Sequence, residues 1–113
     1  MSAQDYRINA EVRRYFVSRW VDVSRLQIGT TNGVIYILGH FETTMEDPRH
    51  RLDVAQENGA IERLLLLARH LERDLRRIRD VRDVIFKLDN ISKRSGTWRA
   101  ANGAAPWMKT GGG

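Results

Sequence analysis

The three histidines are the side chains best suited to bind a metal or transfer a proton, and they lie far apart. His40, His50 and His70 are separated from one another by ten or more residues. A metal site on one helix uses spacings such as His-x3-His or His-Glu-x-x-His, which place two ligands on the same face. Neither spacing occurs, so the sequence predicts no metal centre.

The residue types used for covalent catalysis are present without the motifs that activate them. Serine, histidine and aspartate occur, but no Gly-x-Ser-x-Gly sequence frames a nucleophile. The chain has no cysteine, which excludes thiolate chemistry, disulfides and cysteine-based zinc sites. Gly33 and Gly39 fit a turn and a strand rather than a phosphate-binding loop. The sequence therefore predicts a protein that is not an enzyme and that binds no cofactor.

The stretch 25–41 carries the strongest structural signal in the chain. Apolar residues alternate with other residues on both sides of Asn32-Gly33. An Asn-Gly pair between two alternating runs is typical of a β-hairpin with a tight turn, because both residues tolerate positive φ. We predict strands near 24–30 and 34–42.

Helices and a third strand are predicted to complete a domain around this hairpin. A first helix, over about residues 4–21, has an apolar stripe with a four-residue period, formed by Ile8, Val12, Phe16 and Trp20. The clearest helix spans 61–78, and a short one over 51–58 precedes it, with Gly59 ending it or kinking it into the next. Residues 81–88 are predicted to form the third strand, with Val84, Phe86 and Leu88 pointing inward.

These elements predict an α+β fold of two layers, in the order α-β-β-α(α)-β. The helices cover one face of a small three-stranded sheet. The domain is predicted to span residues 1–91. Residues 92–113 form a flexible tail rich in Gly, Ala and Trp, which lacks the apolar periodicity of an element. The net charge is +5, and this tail carries +4 of it.

Two motifs resemble the BON domain, a small αββαβ module of bacterial envelope and stress proteins. Residues 32–39 are similar to the family's Asn-Gly-apolar-x-apolar-x-Gly run, and residues 78–84 to its apolar-x-Gly-Val-x-x-Val run. The resemblance spans about residues 8–90. It departs from the family at Asp80, where Gly is usual, and in an insertion over residues 44–60. The sequence predicts a single copy and no export signal, whereas many family members are periplasmic tandem pairs.

The resemblance implies a non-enzymatic binding module. Phospholipid association has been proposed for the family and one cytoplasmic branch binds potassium, and neither role maps onto particular residues here. The αββααβ order is also similar to one form of the K-homology RNA-binding fold, whose Gly-x-x-Gly loop clamps the nucleic-acid backbone. The corresponding Asn58-Gly59-Ala60-Ile61 supplies only one of these glycines, which argues against RNA binding by the domain.

The predicted sheet has an outer face, turned away from the helices, where polar residues would be expected. Strand alternation places apolar residues there instead, namely Val34, Tyr36, Leu38 and Ile85. One interpretation is a set of scattered exposed apolar residues, which is common in proteins. The other is a contiguous patch that meets a partner or a second copy.

The tail holds two tryptophans, Trp98 and Trp107, among small and basic residues. These side chains could dock on a partner or stay disordered, and Trp98 could fold back onto its own domain. Interleaved aromatic and basic residues could also hold single-stranded nucleic acid.

We therefore predict a binding or assembly module that uses the outer face and the tail to contact a protein partner or further copies of itself. The alternative is a binder of nucleic acid or of an anionic phospholipid surface through the basic tail. No apolar run approaches the roughly 20 residues that span a membrane, and the N-terminus lacks the apolar segment of a signal peptide. We expect a cytoplasmic protein with no transmembrane segment.

Overall fold

A computed structural model describes residues 2–44 and 57–101 of the 113-residue chain. The elements are α1 (Ala3–Ser18), β1 (Leu26–Thr31), β2 (Val34–Gly39), α2 (Glu57–Leu75), β3 (Asp83–Leu88), β4 (Ile91–Arg94) and β5 (Thr97–Ala100). A short 3₁₀ turn, Val23–Arg25, leads into β1. The predicted α+β class is confirmed.

The three predicted strands form one sheet in the order β1-β2-β3. β2 runs antiparallel to β1 and parallel to β3. Since successive side chains of a strand point to opposite faces, Ile35, Ile37 and Val84 share the face that the two helices cover. All three are buried, which confirms the predicted inward orientation of β2 and β3.

The core lies between this sheet face and the helices. The helical side chains buried there are Ile8, Val12 and Phe16 of α1 and Ala68, Leu71 and Leu75 of α2. Burying one large apolar side chain contributes about 1.5–3 kcal/mol. The Tyr15 hydroxyl, which lies between the helices, donates a hydrogen bond to Asp74. Burial and this hydrogen bond raise the pKa of Tyr15 to about 12.

The sequence predicts that Trp20 continues the buried apolar stripe of α1. The structure shows that it does not. α1 ends at Ser18 in a Schellman turn, in which the Val21 N–H donates to the Phe16 carbonyl and the Trp20 N–H to the Val17 carbonyl. This turn gives Trp20 a φ of 64° and leaves it 36% exposed. Val21 enters the core in its place.

The turn between β1 and β2 is the type that Asn32-Gly33 predicts. Asn32 has a φ of 52° and Gly33 a φ of 79°, and two positive values define a type I′ turn. The Asp5 carboxylate accepts hydrogen bonds from the N–H groups of both residues, at 2.9 Å and 3.0 Å. The hydrogen bond from the Gly33 N–H and, to a smaller extent, that from the Asn32 N–H hold the pKa of Asp5 below its ordinary value. The start of α1 is thereby fastened to the hairpin turn.

α2 differs from the prediction at both ends. It begins at Glu57 instead of Ile61 and contains Gly59, so of the two predicted roles of Gly59 the structure excludes the one at the end of a helix. It ends at Leu75, three residues before the predicted end at Ile78. The predicted short helix over 51–58 lies outside the described residues except for its last two, which belong to α2.

The chain beyond residue 91 contains structure that the sequence prediction missed. β4 and β5 pair in antiparallel fashion, and Ser95 and Gly96 between them have φ values of 51° and 80°. Ile91 and Trp98 belong to the core. The prediction that the tail has no element of its own is therefore wrong for residues 92–101. The folded domain reaches Ala101 instead of ending at 91, and residues 102–113 lie outside the described part.

Candidate functional site

The sheet surface opposite the helices carries the four predicted residues of the outer face. Tyr36 is 37% exposed, and Val34, Leu38 and Ile85 are partly exposed. Tyr36 lies opposite Ile85 across the β2–β3 pairing, so these two side chains form the centre of the surface. The structure thus brings the four residues together, and β2 and β3 position them through strand alternation alone.

β1 leaves the apolar centre accessible from one side. Gly29 lies opposite Tyr36, and a Cβ atom at Gly29 would meet no other atom within 4 Å. In the described part of the chain, both helices lie on the other side of the sheet. A partner could therefore approach Tyr36 over β1 without displacing a described element.

Two charged residues of β3 lie on either side of Ile85. Asp83 and Lys87 are two positions before and after it and so point to the same face. Asp83 is half-exposed, and one of its carboxylate oxygens accepts a hydrogen bond from Arg76 at 2.9 Å. Lys87 forms no hydrogen bond or ion pair with a described residue. The outer face is therefore apolar at its centre. At one end of β3 it has Asp83, which is already paired with Arg76, and at the other end Lys87, which has no partner among the described residues.

Trp98, predicted as a docking anchor, is a core residue of its own domain. It is 8% exposed, and its ring meets that of Phe86 edge-on, with 4.9 Å between the ring centroids. Such a pair contributes about 0.5–1.5 kcal/mol beyond the burial of area. The sequence predicts that Trp98 docks on a partner, stays disordered or folds back onto its own domain, and the structure shows the last of these. Little of its ring is therefore left for a partner. Trp107 lies outside the described residues.

Glu72 is a buried charge that the sequence interpretation did not single out. It is 7% exposed and accepts hydrogen bonds from Lys93 at 2.7 Å, from Arg76 at 2.9 Å and from the Trp98 indole at 3.2 Å. Burial raises the pKa of Glu72, but the hydrogen bonds from Lys93 and Arg76 outweigh burial and hold the pKa below its ordinary value. A buried carboxylate requires such partners.

Beside Glu72, α2 and the β4–β5 hairpin border a cavity of about 370 Å³, called the basic groove here. Its lining residues are Arg69, Glu72, Arg73, Arg76, Lys93, Gly96 and Trp98. Four cations and one carboxylate give this lining a charge of +3. The local signal for it was Ser95-Gly96, a two-residue turn pair between short runs. The overall composition of the tail, rich in Gly, Ala and Trp, obscures this local signal.

His40 lies between two carboxylates where β2 ends. Its Nδ1 is 2.7 Å from Asp89 and its Nε2 is 3.1 Å from Glu42. Only the protonated ring has an N–H on both nitrogens. Burial lowers the pKa of His40, but the hydrogen bonds to Asp89 and Glu42 outweigh burial and raise the pKa. Within residues 2–44 and 57–101, no group of three or more histidines or acidic residues could hold a metal ion.

Comparison of the chain with protein-family models, with curated proteins and with solved structures gives no match. No relative therefore supplies a role for the outer face or for the basic groove. None of the described helices is long and apolar enough to cross a membrane.

Proposed function

We propose that the chain is a non-enzymatic, cytoplasmic binding module that associates with a second copy of itself through the outer face. The observation that carries the proposal is the apolar centre of that face, where Tyr36 and Ile85 lie side by side with no described element over them. A sheet face that meets only water usually carries polar residues. Covering such a surface with a partner removes apolar area from water and is favourable.

The charges on β3 favour a second copy as the partner. Consider two sheets face to face, related by a two-fold axis, with β3 running opposite to its counterpart. Ile85 then faces Ile85 of the second copy, and Asp83 faces Lys87. Asp83 keeps about half of its side chain exposed beside Arg76, so its carboxylate is still accessible to Lys87 of the second copy. The surface is then complementary to itself, as a two-fold interface requires. Packed sheets lie about 10 Å apart, a gap that side chains from both faces fill.

The size of the outer face sets the expected strength of association. The sheet has three strands of six residues each, which at ordinary strand spacings cover roughly 15 by 20 Å, or about 300 Å² per copy. Stable interfaces bury about 1,200–2,000 Å² in total. We therefore expect a reversible dimer with a Kd in roughly the micromolar range or weaker.

The BON-like interpretation belongs to the same proposal, and the backbone accounts for one departure from that family. Asp80 stands where the family usually has Gly, and its φ is 73°. Asp and Asn are the non-glycine residues that most readily adopt this left-handed conformation. Asp80 therefore supplies a conformation that glycine also favours, and the substitution does not argue against the resemblance.

The alternative, binding of nucleic acid or of an anionic phospholipid surface through the basic tail, has less support. Lys93 is paired with Glu72, and Lys109 lies outside the described residues. Arg94 and Arg99 are exposed, so fewer tail charges are available than the sequence suggested. The salt dependence of binding distinguishes the two proposed functions, because electrostatic binding weakens steeply with salt concentration and apolar association does not.

Light scattering coupled to size exclusion, on the full chain from about 10 μM to about 1 mM, tests the proposal over the expected range of Kd. The mass should rise with concentration from the monomer towards the dimer. Tyr36→Asp and Leu38→Asp each place a carboxylate in the apolar surface and should keep the chain monomeric. Tyr6→Asp is the matched control, since Tyr6 is 70% exposed on α1, and it should dimerise like the wild type. A wild type that stays monomeric, or a dimer that survives both outer-face substitutions, contradicts the proposal.

A further inference from the structure

The basic groove has more positive charge than its contacts with described acidic residues neutralise. Two of its four cations, Arg76 and Lys93, are hydrogen-bonded to Glu72. Arg76 also donates to Asp83 at 2.9 Å. These two side chains are therefore held in place, and Glu72 is neutralised beneath them.

Arg69 and Arg73 are the two cations of the groove with unused donors. They lie four residues apart on α2, which places them on the same side of the helix, one turn from each other. Arg73 contacts Asp74 through Nε at 3.4 Å, and its two terminal nitrogens have no hydrogen bond in the described part of the chain. Arg69 has no hydrogen bond or ion pair with any described residue. Like charges at this spacing repel each other, so an anion between them would be stabilising.

We propose that the basic groove binds a soluble compound with a terminal phosphate group, and that Arg69 and Arg73 hold the phosphate oxygens. The planar guanidinium group donates two parallel hydrogen bonds in a geometry that matches phosphate. A phosphate monoester carries a charge of about −1.5 to −2 at neutral pH. This charge suits a lining in which the one carboxylate, Glu72, is already paired with two cations.

The size and the walls of the groove indicate a compact ligand. Its volume of about 370 Å³ lies at the small end of the range of about 300–1,000 Å³ for small-molecule pockets. Trp98 lines one side, and the small part of it that stays exposed offers a limited apolar contact for the carbon skeleton of the compound. Because Glu72 fixes Arg76 and Lys93 in advance, binding would need to order only Arg69 and Arg73, which lowers its entropic cost. The groove and the outer face share one contact, the hydrogen bond from Arg76 to Asp83.

Titration of the full chain with pyrophosphate at constant ionic strength tests the proposal. The Trp98 indole N–H, which donates to Glu72 in the wall of the groove, gives an NMR signal that reports on the site. Trp20, at the end of α1, does not line the groove and serves as an internal reference. We expect a saturable shift of the Trp98 signal with little change at Trp20. No shift at Trp98, or equal shifts at both, overturns the proposal.

The double substitution Arg69→Gln, Arg73→Gln should weaken pyrophosphate binding about tenfold or more, since hydrogen bonds to a charged group are strong. Arg13→Gln with Arg14→Gln is the matched control. It removes the same charge from exposed positions of α1 and should leave the affinity nearly unchanged. An unchanged affinity in the groove variant, or an equal loss in the control, overturns the proposal. So does a chain that binds a short single-stranded RNA through Arg69 and Arg73 but does not respond to pyrophosphate.

Discussion

The two β-hairpins of this chain have the same type of turn and differ in what holds them. Asn32-Gly33 and Ser95-Gly96 each have two positive φ values. The first turn is enclosed, because Asp5 binds its N–H groups and a Cβ atom at Gly33 would lie 2.8 Å from the backbone oxygen of Asp80. The second turn is open, because a Cβ atom at Gly96 would meet nothing within 4 Å.

This difference shows that a turn sequence fixes local geometry but not the way a hairpin joins the domain. The first hairpin is secured at its turn and presents the outer face. The second hairpin is secured by strand side chains, through Trp98 against Phe86 and Lys93 against Glu72, and it borders the basic groove. One turn type therefore supports an apolar surface in one place and a charged one in another.

The largest expected difference in stability comes from making the same Gly→Ala substitution in each of the two turns. Gly33→Ala should destabilise the domain by about 3 kcal/mol or more, because it adds a backbone clash to the cost of a left-handed alanine. Gly96→Ala is the matched control and should cost only about 1 kcal/mol, the conformational term alone. Urea unfolding followed by circular dichroism measures both. Equal losses at the two positions would mean that the turns are held alike.

The next effect tests whether charge secures the second hairpin. Glu72→Gln should cost about 2–3 kcal/mol, somewhat below the usual cost of breaking a buried pair, because Arg76 and Lys93 are partly exposed. Glu62→Gln, at an exposed position of the same helix, should have almost no effect. The folded pKa of Glu72 is lowered, so its contribution is present above the unfolded pKa and is lost as the pH falls through the folded value. Wild type and Glu72→Gln should therefore converge in stability at acid pH, and a constant difference would contradict this account.

A smaller effect concerns His40, which links the end of the first hairpin to Asp89, just before the second. The pKa of His40 is raised from 6.5, so its contribution is full below the unfolded pKa and is lost as the pH rises through the higher folded value. The partners are partly exposed, so we expect less than about 1 kcal/mol. His40→Gln should remove this loss of stability from about pH 6 to pH 8. His70→Gln, at a histidine that has no carboxylate partner among the described residues, should keep the wild-type slope.

The first hairpin and the outer face could be predicted because their signals are local. Alternation along β2 assigns each side chain to one of two faces, and Asn32-Gly33 sets the register of the strands on either side. Val34, Tyr36 and Leu38 followed from the inward placement of Ile35 and Ile37. The α1 end was less predictable, because Trp20 occupies a left-handed position where glycine usually marks the end of a helix.

The second hairpin and the basic groove could not be predicted in the same way. β4 and β5 have four residues each, too few to show alternation among the small and basic residues of the tail. The contacts of Glu72 join it to Lys93 and Trp98, which lie 21 and 26 residues away. Such pairs follow no sequence period, so only the fold reveals that Trp98 is a core residue.

Charge exchange on β3, followed by sedimentation equilibrium of the full chain, tests self-association through the outer face most directly. Lys87→Asp makes both ends of β3 negative, so like charges should face each other across the two-fold axis and weaken the dimer about tenfold or more. Asp83→Lys combined with Lys87→Asp exchanges the charges and should recover most of the lost affinity, although it also removes the hydrogen bond from Arg76 to Asp83. If Lys87→Asp leaves the Kd unchanged, or the double variant dimerises no better than Lys87→Asp alone, the copies do not meet through the outer face in this arrangement.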